Sequence, residues 1–429
     1  MSYFLISTCL IDNNKYYKHG TTPAHRIQPL KKLTTETLFL DLIGNVEWRK
    51  NILKMKIERL SQNLQKSRSI IVNSKHPLRL NYNVHIFYYA WYANSKIDGQ
   101  YRHWNHPYVE NWRKESRKVY PSGTHAPPND IGSNFYPSLG CYSSRETNIL
   151  KQHMKLLQEA DVGVIVLSWL PSKFVDSPHD ILHTFFDIAA KHKLKVALHI
   201  EPYAGRNPIN LQEYLRIFFK IFRNHTALYK IKKPLSQVEL PVLYIYDSYL
   251  TPAVAWKELL GTKGNLSIRN TELDAIYIGL LAEPQHKYHI KKSQFDGFYT
   301  YFAANGFTYG STWKNWKALS KFATESGLIF IPSVGPGYID TQVRPWNSAN
   351  IRHRRHGQYY EVAWKSAIDN NVNYISITSF NEWHEGTQIE PAQPKSEPTF
   401  TYLDYEPEGP DFYMNLTKWW ITQFEKSLQ

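Results

Sequence analysis

Two glutamates, Glu382 and Glu385, stand three residues apart in SFNEWHEGTQIEP (379–391), with Trp383 and His384 between them and Asn381 just before. Cleaving a glycosidic bond takes one carboxyl to protonate the leaving oxygen and a second to act as nucleophile or base. A three-residue spacing on one turn suits the separation of about 5 Å found in retaining enzymes better than the wider gap of inverting ones. Two neighbouring acids also raise each other's affinity for a proton, which an acid catalyst at neutral pH requires. Other chemistries lack their signatures. HWNH (103–106) spaces two histidines but belongs to no HExxH, so no metal is expected. There is no G-x-S-x-G elbow, no P-loop and no G-x-G-x-x-G, so no cofactor is expected either.

The acids follow a run of β-formers, and that run is one of eight. They cover 84–92, 163–169, 195–203, 240–248, 275–283, 297–303, 328–337 and 373–383, most of them continuously apolar, as strands covered on both faces must be. Helix-like stretches lie between them. SRETNILKQHMKLLQEA (144–160) offers Ser144 as a cap, and FYMNLTKWWITQFEKSL (412–428) closes the chain. Eight strand–helix units predict an α/β fold, a (β/α)8 TIM barrel over 83–429. In such a barrel the chemistry gathers at the C-terminal ends of the strands. The first strand ends in Tyr88, Tyr89, Trp91 and Tyr92, the second in Trp169, and the third in His199, Glu201 and Tyr203. The fourth ends in Tyr246 and Asp247, the sixth carries Tyr299 and Tyr301, and the eighth ends in Asn381 and the two glutamates. The long insertion 93–144 is expected over the same rim.

The chain of 429 residues carries 13 Trp and 30 Tyr, rings that build core and also stack on sugar faces. Its net charge of +14 is uneven: residues 1–82 hold 14 lysines and arginines against 5 acids. No later basic stripe interleaves with aromatics, which argues against nucleic acid as a partner. Residues 1–82 are expected to be a basic, partly helical stem or arm, with apolar residues at helical spacing from Leu38 to Leu64. MSYFLISTCLI at the start is too short to span a bilayer. Cys9 and Cys141 form no metal-ligand or disulfide pattern. Three N-x-S/T triplets begin at Asn224, Asn265 and Asn415.

Seven blocks in order, among them HIFYYAWYANSKIDGQYRHWNHP, DIGSNFYPSLGCYSSR, FDGFYTYFAANGFTYGS, IPSVGPGYIDTQVRPWN and ISITSFNEWHEGTQIEP, resemble the Golgi endo-α-1,2-mannosidase family, glycoside hydrolase family 99. The similarity runs from about Val84 to Thr401 and leaves out residues 1–82. It implies a barrel and retaining, endo-acting cleavage of glucosylated high-mannose N-glycans, with release of a glucosyl-mannose oligosaccharide. It implies that Glu382 takes a proton from the sugar's own 2-hydroxyl and that Glu385 is the acid/base. The acids by themselves leave a direct covalent route equally open. With strand-end position, the resemblance makes Tyr88, Trp91, Tyr92, Trp169, His199, Glu201, Tyr246, Asp247, Tyr301 and Asn381 candidates for binding sugar. It also implies the Golgi lumen and, in animal members, a type II membrane anchor, which this sequence does not display. Leu170 stands where the family has tyrosine, in SWLP, so preference between glucose-capped and uncapped mannan is open. Two other functions fit the same residues: a glycan-binding barrel without turnover, and a barrel glycosidase acting on another polysaccharide.

Overall fold

The computed structural model describes residues 79–111, 113, 119–233, 238–398 and 400–429, so the expected arm lies outside it up to residue 78. Its strands, in chain order, begin with β1 (Asn81–Tyr88), β2 (Val162–Trp169), β3 (Lys195–Ile200) and β4 (Lys230–Lys232). Then come β5 (Glu239–Ile245), β6 (Ile276–Leu280), β7 (Gly297–Tyr299), β8 (Ile329–Ile331), β9 (Ser333–Val334) and β10 (Ile375–Ile377). The helices are α1 (Thr147–Glu159), α2 (Leu182–Lys191), α3 (Pro208–Phe222) and α4 (Ala253–Leu260), followed by α5 (His286–Ser293), α6 (Trp316–Ser326), α7 (Gln358–Ile368) and α8 (Phe412–Ser427).

Parallel pairing runs β8-β7-β6-β5-β3-β2-β1-β10-β9. β8 and β9 are one stretch interrupted at Pro332, which has no N–H to give a ladder. β8 pairs with β7 while β9 pairs with β10, so the bent stretch closes the ring. The result is a parallel α/β barrel, and each of the eight sequence runs supplies a strand to it. β4 was not anticipated. It is a short antiparallel partner at the start of β5.

Every residue of β2 is buried, because the ring's interior covers one face and the helices the other. The interior is filled by rings: Phe87 packs on His199 at 4.7 Å and Tyr244 on Tyr299 at 5.0 Å. His85 lies among them, and burial pushes its pKa down to about 3, which keeps it neutral. Much of the aromatic content is therefore barrel filling. Ser144 does not cap α1. Its hydroxyl accepts from Tyr92 N, while the Glu146 carboxylate, at the helix start, accepts from Ser143 N. α3 is capped by Asn207 and Asn210 reciprocally, with Pro208 in the first turn.

Candidate active site

Beyond β10 the chain turns sharply, and Trp383–Glu385 form one turn of 3-10 helix. Three contacts tie its entry to β1 and the loop after it. Phe380 N donates to Phe87 O at 2.8 Å. The Asn381 amide grips Tyr89 from both sides, accepting from its N and donating to its O, each at 2.8 Å. The Tyr92 hydroxyl donates to Asn381 O at 2.9 Å and accepts from Trp383 N at 3.2 Å. The turn's exit is held as firmly. Gly386 takes a left-handed conformation (φ 59°), and a Cβ there would come within 2.6 Å of Ile339, so glycine is required. The Glu385 carbonyl accepts from Ile339 N. Arg354 donates to the carbonyls of Gly386 (3.0 Å) and Gln388 (2.7 Å), with its guanidinium packed among Phe135, Tyr405 and Tyr413.

On this frame Glu382 is 4% exposed and Glu385 half-buried. Burial, then the charge of Glu385, raises the Glu382 carboxyl well above the usual carboxylate range; a single backbone donor, His384 N at 3.2 Å, opposes this. Burial also pushes Glu385 up to about 7, against the pull of Arg344, whose Nη1 stands 3.9 Å away. The charge of Glu201 raises both acids. The charge of Glu385 thus bears on Glu382, and burial raises the proton affinity of both acids.

The remaining predicted residues divide into three groups. Glu201, His199, Tyr246, Asp247 and Tyr301 gather near the acids. His199 stacks on Tyr301 and stands 3.1 Å from Glu201, poorly aligned for a hydrogen bond. Tyr301 shares a hydroxyl–hydroxyl hydrogen bond with Tyr89, and the charges of both catalytic candidates bear on it. Burial raises Asp247 to about 6, although Tyr249 donates to it. Trp91 joins this group from the loop side: it stacks on His103 at 4.4 Å, and its Nε1 is buried without a hydrogen-bond partner among the described residues. Tyr92 and Asn381 form the second group. They stand behind the turn and hold it. Tyr88 and Trp169 form the third, turned toward the helices. The Tyr88 hydroxyl bonds His153 on α1, and the Trp169 ring packs on Phe218 of α3. Alternation along a strand accounts for Tyr88, since Phe87 next to it faces the interior.

The 93–144 insertion covers the turn, as its length suggested: His384 Nδ1 donates to Gly132 O at 2.7 Å. No group of histidines, cysteines and acids among the described residues could hold a metal ion.

Sequence reasoning passed over Arg344, Asp340 and Glu390. Arg344 and Asp340 are bonded at 3.0 Å in the loop after β9, and their four-residue spacing was a usable signal for an ion pair. Glu390 is wholly buried and accepts from Trp383 Nε1 (2.9 Å) and the Tyr142 hydroxyl (2.8 Å), with His153 Nε2 at 3.1 Å. It anchors the turn's tryptophan from behind.

Compared with known proteins, residues 79–426 match the model of Glycosyl hydrolase family 99. The chain is 48% identical over 351 residues to the glycoprotein endo-alpha-1,2-mannosidase of Rattus norvegicus, covering 81% of this chain and 76% of that one. It is 47% identical over 353 residues to the glycoprotein endo-alpha-1,2-mannosidase-like protein of Homo sapiens, covering 81% and 77%. Among solved structures, the GH99 endo-alpha-mannosidase from Bacteroides thetaiotaomicron superposes with a TM-score of 0.77 at 41% identity, covering 82% of this chain and 99% of that one.

Proposed function

This chain belongs to glycosyl hydrolase family 99, and from that premise we propose that it is a retaining endo-α-1,2-mannosidase acting on glucosylated high-mannose N-glycans in the Golgi lumen. The observation that carries the reading is the pair Glu382 and Glu385, fixed on one turn, both with proton affinity raised by burial, beside Arg344 and Glu201.

In the proposed reaction Glu382 draws a proton from the 2-hydroxyl of the mannose whose bond is cut. That oxygen is axial, trans to an α-linked leaving group, so it attacks the anomeric carbon from the rear and gives a 1,2-anhydro sugar. Glu385 protonates the departing oxygen, then takes a proton from the water that opens the anhydro ring at the anomeric carbon, while Glu382 returns its proton to the released 2-oxygen, and overall configuration is retained. Arg344 favours the ionised form of both acids and stands 3.9 Å from Glu385, so in this reading a single proton on the free pair rests mainly on Glu382. A bound 2-hydroxyl donating to Glu382 favours the ionised form there and sends the proton to Glu385, where the reaction needs it. Substrate binding therefore sets the protonation that catalysis uses.

The test is incubation with a glucosylated high-mannose glycan and mass spectrometry of the products. Wild type releases a glucosyl-mannose oligosaccharide; a glycan retained but uncut, or cleavage confined to a β-linked polysaccharide, refutes the reading. Glu385→Gln and Glu382→Gln each lose about 10³-fold or more. A glycosyl fluoride, whose leaving group needs no proton, restores much of the activity to Glu385→Gln and none to Glu382→Gln. The opposite pattern reverses the two roles. No helix among the described residues is long and apolar enough to cross a membrane.

A further inference from the structure

The three N-x-S/T triplets take no part in this chemistry, and the fold treats them differently. An N-glycan acceptor needs a free asparagine amide, an accessible hydroxyl two residues on, and backbone that can bend around the pair. Asn224 and Thr226 are both exposed in the turn that follows α3, and among the described residues neither side chain is drawn into a hydrogen bond. Thr226 gives only its carbonyl, to Lys195 Nζ at 2.6 Å. Asn265 is exposed in the connection from α4 to β6, held through its backbone N, which donates to Glu258 at 2.8 Å. Ser267 is half-buried, and its hydroxyl oxygen accepts from Arg269 N, so its hydrogen is not spent in that bond.

Asn415 is the contrast. It lies inside α8, and its partner Thr417 is fully buried. The Thr417 hydroxyl donates to Tyr413 O at 2.7 Å and pairs with the Tyr360 hydroxyl at 3.0 Å. A helical triplet with its hydroxyl in the core cannot present the bent, open geometry that transfer requires.

We propose that Asn224 and Asn265 are N-glycan acceptors and that Asn415 is not. The assignment rests on the lumenal reading above, because an enzyme that meets glycoproteins in the secretory lumen passes the transferase that makes N-glycans. In the transfer, Asn Nδ2 bonds to the anomeric carbon of a polyprenyl-diphosphate-linked oligosaccharide. The bond from that carbon to the diphosphate breaks, the diphosphate leaves with the electron pair, and the amide gives up one proton. Both acceptors stand in connections that lead from helix to strand, whereas the site's residues stand in loops that lead from strand to helix. Glycans of this size at 224 and 265 therefore leave the acids uncovered.

The experiment expresses the full chain in eukaryotic cells in two forms, with its own start and behind a cleavable secretory signal peptide. Peptide-N-glycosidase digestion and site mapping by mass spectrometry read the result. The signal-peptide form is expected to carry two glycans. Asn224→Gln and Asn265→Gln each remove one, Asn415→Gln removes none, and the double variant at 224 and 265 carries none while keeping kcat/KM within about twofold. A lumenal chain bare at 224 or 265, or occupied at 415, overturns the assignment. Glycans on the signal-peptide form alone uphold the acceptors and count against the lumenal reading.

Discussion

Two arginines, Arg269 and Arg344, each face two carboxylates, yet they do opposite work. Arg269 lies in the connection from α4 to β6 and spends all its donors: Nε on Leu260 O, Nη1 on Asp274 and Ala275 O, Nη2 on Gln294 O and Asp296. Asp296 accepts from Tyr277 N and Asp274 from Asn270 N as well, and Lys233 Nζ stands 3.8 Å from Asp296, so two acids meet two cations and further donors. Arg344 bonds Asp340 but stays 3.9 Å from Glu385, beyond hydrogen-bond reach. Asp340 takes further bonds from the Tyr338 hydroxyl and Asn347 Nδ2, each at 2.9 Å, and Glu385 is left to titrate. A buried acid with several donors serves structure; one left short of donors keeps a mobile proton. Linkage carries the cost. Glu385 binds its proton more tightly folded than unfolded, so its contribution to stability is greatest below the ordinary carboxylate pKa and is lost as pH rises toward and through about 7.

The contrast can be broken at either arginine. Arg269→Met should cost about 3–5 kcal/mol in denaturant unfolding, because Asp274 loses its cation and Asp296 keeps only Lys233. Activity per folded molecule should stay within about twofold, and a large fall in kcat would erase the distinction. Arg344→Met should do the reverse. It should lower kcat/KM by about a hundredfold, as expected when a charge aimed at the reacting groups is removed. Stability should fall by only about 2 kcal/mol, since Asp340 keeps two donors. Its pH profile carries a sign. Wild type should gain activity as pH rises through about 7, where the doubly protonated site gives up the Glu385 proton and leaves the single proton that the reaction uses. Without the guanidinium that limb should move to higher pH. Arg354→Met tests the frame rather than the charges. Freed carbonyls at Gly386 and Gln388 should loosen Glu385 and lower kcat by about tenfold with KM little changed. Partial recovery in Arg354→Lys would separate positioning from simple unfolding. The smallest effect belongs to Leu170, half-buried at the end of β2 with its carbonyl taken by Ser177. Leu170→Tyr should shift the ratio of kcat/KM for glucose-capped over uncapped glycan by about tenfold or less.

The eight barrel strands were legible because a strand covered on both faces must be apolar throughout, and no other element so short shows that run. The candidate pair was legible because both acids sit on one turn. Arg344 was harder to see, since it reaches Glu385 from a loop some forty residues earlier. Tyr88 and Trp169 were assigned to the rim because residues at a strand's end look alike in sequence whether they point inward or outward. Ser144 satisfied the pattern of a helix cap and was claimed by the Tyr92 backbone instead.

What the sequence determined alone was local: the strand and helix rhythm, the paired glutamates, and the Gly386 that lets the turn close behind them. These follow from hydrophobic period, spacing and backbone sterics, all of which act over a few residues. Only the tertiary structure decided which acids are left short of donors. Glu382 and Glu390 are glutamates on the same loop, both buried. The second is saturated by Trp383, Tyr142 and His153, while the first has one backbone donor and an acidic neighbour. Donors brought from distant segments make that difference, and no spacing within the loop encodes them.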